Sequence, residues 1–168
     1  MAKESDSMSD PLVTYLHDHM AGSVHAVGLL EALRDEHAGE PLGEFAGRLL
    51  AEVQADRATL EELAERAGEG SSGLKELTGW LADKVSRIKL QPDKQGGLGT
   101  FQALEFLALG IQGKLALWRA LAVVAPLDAR LHGVDYDHLA ARAEAQYAET
   151  EARRLEVAGW ALLPPQKS

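Results

Sequence analysis

DPLVTYLHDHMAGSVHAVGLLEALRDEH, residues 10–37, decides the fold. Apolar or small residues recur at Leu12, Leu16, Ser23, Ala26, Leu30 and Leu33, with His19 on the same line. Steps of four and three put these positions on one side of a long helix, which must bury that side against other helices. The middle of the line is polar. His19 and Ser23 lie on it, and His17, Asp18 and His25 flank it. Imidazoles at the centre of a packing face are a common beginning for a metal site inside a helix bundle.

Working outward, Ser9 or Asp10 can cap this helix, and Pro11 stands at its first position, where a missing N–H costs nothing. The helix is expected to stop near Gly39, and Pro41 opens a second one, so the two form an antiparallel hairpin. The second helix should run to about Ala67 with the line Leu42, Ala46, Leu49, Val53, Asp56, Leu60 and Leu63. One member of that line, Asp56, is charged. Folding the hairpin about Gly39 sets Asp56 level with His19 and Glu52 level with His25. The expectation is that His19 and Asp56 meet, directly or through one water or ion, and that the carboxylate raises the imidazole pKa when no metal lies between them. A single His–Asp pair fixing helix register would satisfy the same pattern.

Residues 74–90 read as a shorter amphipathic helix and 91–99 as a Pro- and Gly-containing loop. Together they make a long crossover, which allows the second and third long helices to run parallel. The third, from a Thr100 cap to Ala125, is apolar almost all round and is expected to be the most buried. Glu105 is the only charged residue between Lys94 and Lys114. It should be buried and should find a cation, a metal or a proton; an arginine of the next helix is the plain solution. After a turn, an Asp135 cap starts the last helix, with Leu139, Ala143, Tyr147 and Leu155 expected inside. The domain spans 10–163, between tails at 1–9 and 164–168. Laying the stretch from Leu16 over that from Leu104 matches Gly22 with Gly110, and AEVQ from Ala51 matches AEAQ from Ala143, a faint internal duplication.

Composition narrows the function. Lys and Arg number 17 against 26 Asp and Glu, a formal charge of -9, which argues against nucleic acid or an anionic membrane as the main partner. There is no cysteine, hence no disulfide and no thiolate chemistry. The first ten residues hold no apolar run of the secretory kind, and the apolar stretch at 115–127 is too short and too charged to span a bilayer. A cytoplasmic protein is expected. No phosphate-binding glycine loop, nucleophile elbow or His-Glu-x-x-His pair is present.

Two long helical hairpins, a crossover after the second helix and polar groups at mid-bundle resemble the ferritin-like superfamily over about residues 10–162. The resemblance implies an all-α four-helix bundle with an extra helix in the crossover. It also implies a di-iron or di-manganese centre held by a Glu from each of two helices and Glu-x-x-His from each of the others. Against that motif the second helix offers Glu52-Val53-Gln54-Ala55 and the last Glu144-Ala145-Gln146-Tyr147, with Ala and Tyr where histidines belong. The first helix has histidines where a Glu is expected, and only Glu105 on the third is of the right type. The chain therefore reads as a divergent member without an orthodox di-metal site, non-catalytic, with a structural or interaction role and a homodimer as a candidate assembly. The alternative is an altered Fe, Mn or Zn site drawn from His19, His25, Glu52, Asp56 and Glu105, doing oxygen or peroxide chemistry. A third reading is a small-molecule binder using the polar pocket between the helices.

Overall fold

In a computed structural model that describes residues 10–68 and 97–164, the chain is helical, with no strand among those residues. The long helices are α1 (Pro11–Glu36), α2 (Pro41–Gly68), α3 (Leu98–Val124) and α4 (Tyr136–Ala161). Two single turns of 3-10 helix, Ala125–Leu127 and Ala129–Leu131, join the last two. The expected helix at 74–90, most of the loop after it and residues 1–9 and 165–168 lie outside the described residues.

Local chemistry sets the ends as expected. The Asp10 carboxylate accepts from the Leu12 N–H at 2.9 Å ahead of Pro11. Asp135 accepts from the His138 N–H and starts α4. Gly39, at φ +83, supplies the left-handed backbone that turns α1 into α2. α3 starts earlier than expected, behind Gly97 rather than Thr100. Gly97 has φ +91 and lies under the Trp160 ring, so a side chain there would meet both backbone strain and the indole. His37 caps the end of α1, and its ring shares a hydrogen bond of 3.2 Å with Thr100.

These end contacts give the helix directions. The His37–Thr100 bond puts the end of α1 beside the start of α3. At the other end Arg130, just past α3, donates to the Asp10 carboxylate at 2.6 Å and to the Ala67 carbonyl at 3.3 Å. α2 and α3 therefore run parallel, and Gly68 and Gly97 lie at opposite ends of the bundle. The sequence expectation of a crossover agrees with this geometry. α1 packs along α2, α3 along α4, and α1 along α3, whereas the backbones of α2 and α4 rarely approach. Side chains span that wider side, among them the ion pair of Arg48 and Glu149 at 2.9 Å.

The core is one cluster of leucines, alanines and aromatics drawn from all four helices. Leu16, Leu30, Leu33, Leu63, Leu104 and Trp118 are among its fully buried members, each leucine stabilising the fold by about 1.5–3 kcal/mol. The expected line on α2 is buried from Ala46 to Leu63, Asp56 included. α3 departs from expectation. Phe106, Leu109 and Val123 are 66%, 64% and 74% exposed, so it is apolar all round without being buried all round. Its packing partners α1 and α4 cover only part of its circumference. By length and composition alone, Leu98–Leu127 is apolar enough to cross a membrane. The inner face of α4 also differs: Leu139 and Ala143 are buried, but Leu155 is exposed, and Gln146, Thr150 and Val157 continue the line. Thr150 fits there because its hydroxyl donates to the Gln146 carbonyl at 2.8 Å.

Candidate functional site

Asp56 is the focus of the mid-bundle. It sits on the seam of α2 between Val53 and Leu60, only 2% exposed. A buried carboxylate requires compensation, since isolated burial of a charge is very costly. Two cations supply it. The Lys114 ammonium, from α3, donates to Asp56 Oδ2 at 2.5 Å, and the Arg142 guanidinium, from α4, donates to Oδ1. Lys114 also donates to Gln146 Oε1, and the Gln146 amide donates onward to Glu52 Oε2 at 2.8 Å. The resulting chain Arg142–Asp56–Lys114–Gln146–Glu52 holds two positive and two negative groups and bridges α2, α3 and α4 where α2 and α4 stand apart. Burial pulls the Lys114 pKa below its ordinary value, and Asp56 opposes that shift.

Next to this network, α1, α2 and α3 enclose a cavity of about 110 Å³. Its walls are mostly apolar, with Leu49, Val53, Leu107 and Ile111 among them. Its polar lining comes from His19, Ser23, Asp56, Arg57, Lys114 and Trp118, with Arg57 paired to Glu61 at 2.8 Å. Burial lowers the His19 pKa, and neighbouring Asp18 raises it less than burial lowers it. The ring packs edge-on to Tyr15 at 4.8 Å between centroids.

His19 and Asp56 make no direct hydrogen bond. The two residues do line one cavity, as the hairpin fold places them at one level, but the carboxylate is taken by Lys114 and Arg142. The imidazole pKa accordingly moves down, opposite to the expectation. Glu105 is corrected as well. Its partner is an arginine of the next helix, Arg154 at 3.2 Å, yet its side chain is half exposed and not buried. The outward turn of α3 that exposes Phe106 and Leu109 carries Glu105 with it.

Of the five candidate metal ligands, His19 and Asp56 share the cavity, while Glu52 binds Gln146. His25 is exposed and sits 3.2 Å from the Ala21 carbonyl in its own helix, and Glu105 lies on the outer side. Among the described residues, no three His, Asp or Glu side chains converge on a point that could hold an ion.

Comparison with protein-family models, curated proteins and solved structures finds no match. The residues themselves therefore carry the argument. Sequence reading missed Lys114, Arg142 and Gln146, the three groups that satisfy Asp56. A signal was present: Asp56 is the single charge on the apolar line of α2, and Lys114 the single charge between Glu105 and Arg119. Arg142 and Gln146 stand four apart in the last helix, one turn of a common face.

Proposed function

We propose that this chain is a ferritin-like four-helix bundle whose metal position is filled from within by the Lys114 ammonium, leaving a non-catalytic protein with a structural or interaction role. The observation that carries this reading is the 2.5 Å bond from Lys114 to the buried Asp56. Asp56 and Glu52 are the carboxylates nearest mid-bundle on α2, and their oxygens already receive Lys114, Arg142 and Gln146. A divalent ion there would face two fixed cations and would have to displace at least one. As they stand, these residues do not fit the di-metal centre that the superfamily resemblance implies. The antiparallel hairpins, the parallel α2 and α3 and the polar groups at mid-height support the superfamily assignment. The apolar outer face of α3, with Phe106 and Leu109 exposed, supports a role in association, with a second copy of the chain as the simplest partner.

Elemental analysis of protein expressed with added iron, manganese and zinc tests this reading. The expected result is far less than one ion per chain in the native sequence. A stoichiometric ion that is lost in Asp56→Ala would overturn it in favour of an altered metal site.

A further inference from the structure

We infer that the cavity between α1, α2 and α3 binds a compact, largely apolar molecule that carries one hydrogen-bond acceptor. The first ground is an unmet donor. Trp118 is 1% exposed and lines this cavity, and its indole N–H has no acceptor among the described residues. A buried N–H without a partner is destabilising, and native structures rarely keep one. The second is the lysine. An ammonium has three hydrogens to donate, and Lys114, which also lines the cavity, commits two of them, to Asp56 and Gln146. Beside the Ser23 hydroxyl and the His19 ring, the cavity thus holds two groups with hydrogens left to give, Trp118 and Lys114, while Asp56, its one carboxylate, is already engaged.

Size and access fix the rest. A cavity of about 110 Å³ is close to the roughly 150 Å³ that admits benzene in an apolar protein interior. Being somewhat smaller, it suits a single ring or short branched chain of up to about six non-hydrogen atoms, with any further substituent at the opening. Gly22 on α1 and Gly110 on α3 line the cavity and are exposed, so they form its rim. A Cβ placed on either would meet nothing within 4 Å, so the rim is open. These are the two glycines that the internal overlay of the hairpins pairs. Carboxylates and neutral carbonyl compounds share the acceptor chemistry required. The cavity and the Trp118 N–H stand whether or not the metal position is filled, whereas the Lys114 donor rests on the proposed reading of that position.

Benzoate, acetophenone and ethylbenzene, similar in outline but respectively anionic, neutral with an acceptor, and lacking one, serve as probes. They are titrated into the full chain with binding read by calorimetry and by the NMR resonance of the Trp118 indole N–H, assigned from Trp118→Phe. The expected result is saturable binding of benzoate or acetophenone, roughly tenfold or more tighter than ethylbenzene, the effect of one hydrogen bond. Movement of the Trp118 resonance should accompany it. Preference for benzoate identifies an anionic ligand class, and preference for acetophenone a neutral carbonyl. Gly22→Leu and Gly110→Leu, each placed where a side chain has room, should abolish binding with the helical circular dichroism unchanged. Equal binding of ethylbenzene, no binding by any probe at millimolar concentration, or undiminished binding in both glycine variants would each overturn the inference.

Discussion

Replacing Asp56 with alanine removes a buried group on which two cations from different helices converge. Lys114 and Arg142 side chains are only 15% and 27% exposed, so neither is fully hydrated once its partner is gone. Removing one member of a buried ion pair costs about 3–5 kcal/mol. The lower end applies here, because Lys114 keeps its bond to Gln146 and the nearby Glu52 charge. A loss of about 3 kcal/mol corresponds to a fall in Tm of about 6–12 °C for a domain of this size. Lys114→Met should be milder, about 1–2 kcal/mol, since Asp56 retains Arg142. The double variant should cost about 2 kcal/mol less than the sum of the singles, because the second change removes a charge the first had orphaned. Urea denaturation of the four proteins measures the cycle. A pH arm adds an independent check. Burial already holds Lys114 below 10.5, with Asp56 opposing; without Asp56 the depression deepens. The unfolded chain then binds more protons at alkaline pH, so Asp56→Ala should regain stability as pH rises toward 10.5. Additive single effects, or an Asp56→Ala loss under about 1 kcal/mol, would refute the network.

Two further outcomes follow from the corrected positions. Glu105→Ala and Glu105→Leu should each change stability by less than about 1 kcal/mol, the usual effect of an exposed ion pair; a loss of 3 kcal/mol for the alanine variant alone would restore the buried reading. His19 titrates below 6.5 in the fold because burial disfavours imidazolium. As pH falls through 6.5 the unfolded chain takes up the proton first, so stability should drop between pH 7.5 and 5.5, and His19→Gln should lack that component of the drop. Equal drops in both proteins, read as urea midpoints, would show that His19 is not the group responsible.

The amino-acid sequence determined the helices and their hairpins. Four-three spacing marks the buried line on α2 almost residue for residue, and Asp10, Pro11, Gly39, Pro41 and Asp135 mark helix ends, because capping and φ are local matters. It also marked the mid-bundle height as polar, since hairpin geometry alone sets Asp56 level with His19. Only the tertiary structure decided which polar groups meet. α3 carries apolar residues on every side, so its pattern holds no rotational information, and the faces presented by Glu105 and Lys114 were fixed by packing against α1 and α4. Likewise the choice of Lys114 and Arg142 over His19 as partners of Asp56 depends on the gap between α2 and α4, which Arg142 spans from α4 and Lys114 enters from α3. That gap is a property of how the two hairpins dock, and no single helix encodes it.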